Sequence, residues 1–193
     1  MRRAPILSNI YKIHKIMLKI RTILFFIFLG LFSLSFQIGA MSKVSYEDAN
    51  DFSNEFLSVM KDTDGLGIFV NNFLSTLPMF IPGFGTIWGL YIAWSTGFGF
   101  AAIISTIPGL SDIQPLSILF LSPFGVIELI AYSIALSCSF HLIYTIIKNA
   151  RSQIKSVLKL QIKPNLIGIG IVMILLLLAG FLEDYMIKSA QVL

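Results

Sequence analysis

The chain has 193 residues, of which 56% are apolar and only 12% are charged, and its mean hydropathy is +0.85. Soluble domains carry about twice that share of charge, so the composition excludes an ordinary soluble enzyme and predicts an all-α, polytopic membrane protein. The net charge of +4 does not indicate a nucleic-acid partner, because the basic residues cluster at the boundaries of apolar runs.

Five apolar segments are predicted to cross the bilayer as helices, since a crossing needs about 20 residues. They cover residues 20–40, 66–81, 85–107, 116–147 and 166–182. The second segment is short, and the fourth is too long for one straight crossing. Broken helices are expected where Pro and Gly cluster, at Pro78, 82–85 and 122–125. Residues 1–193 are therefore predicted to form a single integral membrane domain.

The charges of the connecting segments predict the orientation. Residues 1–19 and 148–163 contain basic but no acidic residues, whereas 41–64 are mainly acidic. Five spans place both basic segments on one side, which the positive-inside rule makes the cytoplasm. We therefore expect a cell-membrane protein with a cytoplasmic N-terminus and an external C-terminus. The first span is expected to be a retained anchor rather than a cleaved signal, because the chain soon returns to the membrane.

Two segments have the pattern of amphipathic helices. Residues 45–48 have capping-box spacing, with Asp48 in place of the usual Glu, and apolar residues follow at helical spacing. This predicts a short external helix that covers the rim of the bundle or binds a partner. Residues 148–163 have basic side chains on one face and apolar ones on another, which is typical of contact with a lipid surface or a dedicated protein partner.

The third span carries small residues at every fourth position, which allow helix backbones to approach closely. The ladder consists of Gly85, Gly89, Ala93, Gly97, Ala101 and Ser105. It predicts helix packing, either inside one bundle or along a dimer seam.

Glu128 is an acidic residue within the apolar fourth span. A charge at that depth costs several kcal/mol and usually faces a bundle interior. Ser122 and Pro123 are suited to the N-cap and first turn of a helix, which places Glu128 about one and a half turns inside it. Ala135 and Ser139 share its face, so a small, polar stripe is predicted to allow another segment to approach closely.

Asn71 and Asn72 form a polar pair in the second span. They are expected to bond to Glu128 or to carbonyls left free near Pro78 and Pro82. The predicted intramembrane polar site is therefore Glu128 with Asn71 and Asn72.

Neither catalysis nor a bound metal is predicted. The sequence has no HExxH, P-loop or GxSxG motif, and Cys138 is the single cysteine, so no Cys/His cluster exists. His141 lies roughly opposite Glu128 around the helix and about 20 Å along it. We expect no catalytic residue, no metal site and no cofactor, and we expect that the protein is not an enzyme.

The pattern of Asn71-Asn72, the Gly-rich stretch 82–99 and the segment 123–129 resembles the stage II sporulation protein M family. Pro123, Gly125 and Glu128 match a Pro-His-Gly-x-x-Glu-like signature of that family, and the resemblance covers about residues 68–147. Phe124 stands where the family usually has His, and Ile130 where a second Pro is common. The resemblance implies a multi-pass membrane component rather than an enzyme, since the namesake holds cell-wall hydrolases at the engulfing membrane of sporulating bacteria.

Two functional hypotheses follow. The first is a non-enzymatic membrane scaffold or accessory subunit, whose partners are the lipid bilayer and membrane proteins or further copies of itself, without nucleic acid. The alternative is a small membrane transporter or channel, in which Glu128, Asn71 and Asn72 line a polar path between broken helices.

Overall fold

A computed structural model of the protein describes residues 4–61, 63–106, 114–149 and 154–190. All regular secondary structure in this part of the chain is helical, and it contains no strand. In chain order its elements are α1 (Ala4–Ala40), α2 (Tyr46–Lys61), α3 (Gly65–Thr76), a 3₁₀ turn (Leu77–Phe80), α4 (Phe84–Thr106), α5 (Pro115–Leu121), α6 (Pro123–Asn149) and α7 (Ile154–Ala190). The predicted all-α, polytopic bundle is confirmed.

Four of these helices are long and apolar enough to cross a membrane, namely α1, α4, α6 and α7. The second predicted span is the shorter apolar helix Gly65–Phe80. Its 12 α-helical and 4 3₁₀ residues reach about 26 Å, because a 3₁₀ turn rises further per residue than an α-helix. That length approaches the thickness of a bilayer core, so this helix has about the reach that the predicted second span requires.

Contacts between helices establish their relative directions. Arg21 on α1 hydrogen-bonds Gln161 on α7 at one end of the bundle, and Gly65 on α3 lies against Gly180 on α7 toward the other. The ring of Phe32 stacks on that of Tyr132, while Phe28 lies beside Phe140, so α1 and α6 are antiparallel. Helices α1, α4 and α7 thus run one way and α3 and α6 the other, as five successive crossings require.

We call the two ends of the bundle the basic end and the acidic end. The basic end holds Arg21, Lys148 and Lys163, and the acidic end holds α2 and the start of α3 at Asp64. Lys188 also lies at the acidic end, where its Nζ is 2.7 Å from an Asp184 carboxylate oxygen. The described basic residues Arg21, Lys148 and Lys163 therefore lie at the same end of the bundle.

The core consists of apolar side chains from five helical segments. α1 provides Phe28, Phe32 and Phe36, which are almost fully buried. They meet side chains from the 3₁₀ turn, α6 and α7, among them Met79, Leu129, Leu136, Val172 and Leu176. The aromatic face of α1 is thus part of the core that holds the bundle together.

The chain breaks where Pro78 and Pro82 remove backbone donors, and other groups satisfy the carbonyls there. The Ile81 carbonyl accepts from the Gly85 N–H at 2.8 Å and from the Ser139 hydroxyl at 2.7 Å. Gly83 turns the chain with a φ of 78°, a left-handed conformation that glycine adopts without a Cβ clash. The predicted break between the second and third spans is therefore present.

The long fourth segment is also divided as predicted. α5 ends at Leu121 and α6 begins at Pro123, with Ser122 between them. The Ser122 hydroxyl accepts from the Gly125 N–H at 3.2 Å, and its carbonyl accepts from Val126. Ser122 thus caps α6 in the predicted way.

α2 begins at the predicted capping position and covers the acidic end of α4. The Ser45 hydroxyl accepts from the Asp48 N–H at 3.2 Å and donates to the Asp48 carboxylate at 2.6 Å. Ser53 is buried against Thr106, with 2.8 Å between their hydroxyl oxygens. α2 therefore packs on the end of α4, and its external position stays a prediction.

The described residues of the basic segment 148–163 belong to the ends of two long helices, and the predicted contact with a lipid surface or a partner stays a prediction. Its described residues from Ile154 onward continue directly into α7, which runs on through Pro164. The missing N–H of Pro164 removes one helical hydrogen bond without ending the helix. The side chains of 154–160, as well as Arg2, Arg3, Asp62, Ile107, Asp112 and Arg151, lie outside the described residues.

Candidate intramembrane polar site

Glu128 and Asn72 form a direct hydrogen bond between two spans. The Asn72 side-chain amide donates to a Glu128 carboxylate oxygen at 2.5 Å, which links α3 to α6. Both side chains are partly exposed rather than fully enclosed. The pair therefore joins two spans at a partly buried position.

The two spans that this hydrogen bond joins have little other contact with each other. α3 packs mainly on α7, where Gly65 and Gly180 allow the two backbones to approach closely, and it makes few contacts with α6 or α4. A Cβ on Gly180 would lie 2.7 Å from the Gly65 carbonyl oxygen, which is closer than side chains tolerate. The Asn72–Glu128 hydrogen bond thus crosses a region with little other packing.

A second carboxyl lies close to this pair. Glu183 on α7 is near enough to Glu128 for their charges to interact. Asn72 provides the only hydrogen bond to Glu128 from a side chain in the described part of the protein. Two carboxyls and one amide therefore share the acidic half of the membrane region.

The small, polar stripe on α6 receives other segments of the same chain. Ala135 and Ser139 are fully buried, and the Ser139 hydroxyl bonds the Ile81 carbonyl at the break before α4. Tyr132, one turn from Glu128, stacks on Phe32 with ring centroids 5.2 Å apart. The segment whose close approach the stripe predicts is thus the broken region that precedes α4, together with α1.

Asn71 does not take part in the Glu128 contact. Its side chain is exposed on α3, and no hydrogen bond to it exists in the described structure. A rotation of about 100° per helical residue turns adjacent side chains to different faces, which explains why only one of the two asparagines reaches Glu128. Asn71 instead presents an amide on the outer surface of a membrane-spanning helix.

The small-residue ladder packs inside the bundle through four of its six members. Gly85, Gly89, Ala93 and Gly97 are buried. Gly85 contacts the Met79 backbone, Gly89 the Leu136 side chain, and Gly97 the Phe36 backbone. A dimer seam along these four positions is therefore excluded.

Ala101 is partly buried and Ser105 is exposed, so the ladder leaves the interface here. The reason is that α1 ends at Ala40, which lies beside Gly97, while α4 continues for more than two further turns. Along this extension, Gly99 and Ala102 are buried instead, and the Phe52 ring of α2 covers Gly99.

Gly39 is a packing residue that the sequence reading did not identify. Its Cα lies against the Trp94 carbonyl of α4, opposite Gly97. The four-residue spacing of small residues that predicts close packing also occurs on α1, at Ser35 and Gly39. Ser35 also donates a hydrogen bond of 2.7 Å to the Leu90 carbonyl.

An aromatic stripe runs along α4. Five rings follow one another in contact along the helix, at Phe84, Trp88, Tyr91, Trp94 and Phe98. They extend over about 21 Å, whereas an interfacial belt would occupy only the ends of a span. Tyr91 is 52% exposed and Trp94 37% exposed, so much of the stripe faces outward.

Trp88 connects this stripe to α3. Its indole N–H donates to the Ser75 carbonyl at 2.9 Å, near the 3₁₀ turn. Beyond this bond α3 and α4 make few contacts. We call the exposed Asn71 of α3 and the outward rings of α4 together the α3–α4 face.

No metal centre is formed by the described residues, which contain no group of three His, Cys, Asp or Glu side chains suited to a metal ion. His141 is 5% exposed and lies on α6 beyond Ser139, away from Glu128. Its Nδ1 atom has no hydrogen-bond partner in this part of the chain. Cys138 is a free, buried thiol.

The fold and the polar pair define a multi-pass α-helical membrane protein. The sequence profile of the family described as stage II sporulation protein M matches residues 20–186. The match covers most of the chain, including all five spans, and the protein belongs to this family. No match was found among curated proteins or among solved structures.

Proposed function

We propose that the protein is a non-enzymatic membrane scaffold that receives a transmembrane segment of a partner protein at its α3–α4 face. The observation that carries the proposal is Asn71, an unpaired amide exposed on a membrane-spanning helix. Lipid tails offer an amide no hydrogen bond, whereas a polar group on another helix does. An exposed Asn in this position therefore favours contact with protein over contact with lipid.

The aromatic stripe supports the same surface. Trp and Tyr are enriched where proteins meet one another, because they combine a large apolar area with a polar group. Tyr91 lies within the membrane region, since it neighbours Leu90, whose carbonyl bonds Ser35 inside α1. A partner helix beside α4 would cover its ring and offer its hydroxyl a partner.

In this proposal the Glu128–Asn72 bond keeps α3 in position rather than carrying out chemistry. α3 has few other contacts with α6, so one strong hydrogen bond there has a large effect on the shape of the face. The scaffold is oriented with its basic end in the cytoplasm of a cell membrane, as the positive-inside rule favours. The N-terminus is then cytoplasmic and the C-terminus external.

The experiment compares capture of membrane proteins by wild-type protein and by variants in native membranes. Asn71→Leu should lose a co-purifying partner, and Asn71→Gln should retain it, because Gln preserves the amide. Thr96→Leu is the matched control, since the Thr96 hydroxyl is also exposed but already bonds the Ile92 carbonyl at 2.8 Å. Equal capture by Asn71→Leu and wild type would contradict the proposal.

A transporter or channel is the second candidate, and the pair of neighbouring carboxyls, Glu128 and Glu183, favours it. Carboxyls inside a membrane domain commonly mark proton or cation paths. Proteoliposomes with a pH-sensitive dye separate the two candidates. Proton or cation flux that disappears in Glu128→Gln supports transport, whereas equal background flux in both proteins supports the scaffold.

A further inference from the structure

We infer that a cleft at the basic end of the bundle is a binding site for one anionic phospholipid. The cleft has a volume of about 290 Å³ and opens between α1, α6 and α7. It is separate from the Glu128 pair, which lies toward the acidic end. Its lining includes Arg21, Thr22, Phe25, Ile134, Gly168 and Ile171.

The lining changes from polar to apolar along the membrane direction. Arg21 and Thr22 lie at the basic end of the cleft, while Phe25, Ile134 and Ile171 lie further into the bundle. Each step of four residues along α1 corresponds to about 6 Å of depth. A charged entrance above an apolar channel matches a phosphate headgroup above an acyl chain.

Arg21 is held in place to make such a contact. Its guanidinium donates one hydrogen bond to the Gln161 side-chain oxygen at 3.0 Å, and Gln161 is itself buried. Arginine has five N–H donors, so several remain for a phosphate, which it can bind through two parallel bonds. In the described structure Arg21 has no carboxylate partner, because the one ion pair found there joins Lys188 and Asp184.

The surroundings favour a negatively charged lipid over a neutral one. Lys19 and Lys163 are exposed at the same end of the bundle, and neither segment around them contains an acid. Basic pockets between helices at the cytoplasmic side of a membrane commonly bind anionic headgroups. The apolar depth of the cleft excludes free phosphate as the preferred occupant, because phosphate would leave the deeper part unfilled.

Glycine at position 168 contributes to the shape of the site. A Cβ there would approach the Cys138 sulfur to 3.0 Å, so Gly168 allows α6 and α7 to meet behind the cleft. Thr22 is exposed at the entrance, and its hydroxyl bonds the Leu18 carbonyl of its own helix at 3.0 Å. A large side chain at position 22 would therefore fill the cleft without replacing a core contact.

The test measures the melting temperature of the full-length protein in detergent with added dioleoylphosphatidylglycerol or dioleoylphosphatidylcholine. The wild type should be stabilised more by the anionic lipid than by the neutral one. Arg21→Gln should lower the apparent affinity for the anionic lipid about fivefold, as expected for one basic residue near a membrane surface. Lys43→Gln is the control, because it removes an equal charge at an exposed position at the acidic end of the bundle and should leave the apparent affinity unchanged.

A second pair of variants tests the apolar part without removing any charge. Thr22→Trp should abolish the preference for the anionic lipid, whereas Ile23→Trp, at a 49% exposed position outside the lining, should preserve it. Inorganic phosphate at the same concentration should not stabilise the protein. Equal stabilisation by both lipids, stabilisation by phosphate alone, or full preference in both Arg21→Gln and Thr22→Trp would overturn the inference.

Discussion

Replacing Glu128 tests whether its bond to Asn72 stabilises the bundle. Glu128→Ala removes the 2.5 Å hydrogen bond and leaves the Asn72 amide without its partner at a place where α3 and α6 have little other contact. An unsatisfied polar group that is kept from water costs about 1–3 kcal/mol, and Asn72 lies in a membrane-spanning segment, so a loss of that size is expected. In Glu128→Gln the side-chain carbonyl still accepts from Asn72, and a loss below about 0.5 kcal/mol is expected, since the acceptor is retained.

The assay heats the purified protein in one detergent and measures the fraction that remains monodisperse at each temperature. One kcal/mol shifts the melting temperature of a chain of this length by about 2–4 °C, so Glu128→Ala should melt roughly 2–12 °C lower. Asn72→Leu should be destabilising as well, and the double variant should be less destabilised than the sum of the two single variants, because both remove the same bond. Additive effects, or a Gln variant as unstable as the Ala variant, would refute the structural role of the pair.

Two further predictions concern packing and orientation. Gly97→Leu should destabilise the bundle by about 1–3 kcal/mol, because the leucine side chain would collide with the Phe36 backbone. The control Ile87→Leu, at a 72% exposed position, should change stability little. Equal melting temperatures of the two variants would contradict the packing. Orientation is tested with single cysteines at the exposed positions Asn54 and Lys148 in a Cys138→Ala background. An impermeant thiol reagent added to intact cells should label position 54 and not position 148. Labelling at position 148 alone would reverse the proposed topology.

Much of the fold follows from hydrophobicity and from the chemistry of single residue types. Continuous apolar runs predict helical spans, because only internally bonded backbone is tolerated in lipid. The breaks at Pro78, Pro82 and Ser122 were predictable, since proline removes a donor and serine caps a helix. Boundaries were less predictable, and α7 extends well beyond the apolar run 166–182 because polar helical turns continue past the bilayer.

The polar site was only partly predictable, because sequence gives the residue types but not their rotation about the bundle. Adjacent asparagines were grouped together, yet Asn72 faces Glu128 and Asn71 faces outward. The small-residue ladder on α4 predicted close packing. The sequence alone did not show that α1 ends beside Gly97, where this packing stops. The close packing of α3 against α7 depends on Gly65 and Gly180, which are far apart in sequence and show no joint pattern.

The most direct test of the proposed scaffold is photo-cross-linking from the α3–α4 face in native membranes. Benzoylphenylalanine at Tyr91, which is 52% exposed, should yield a discrete protein adduct, either with another membrane protein or with a second copy of the chain. The control position is Phe26, an aromatic residue that is 64% exposed on α1 and lies outside this face. An adduct from position 91 that is absent from position 26 is the predicted result. Lipid adducts alone at both positions would contradict the assignment of this face to a protein partner.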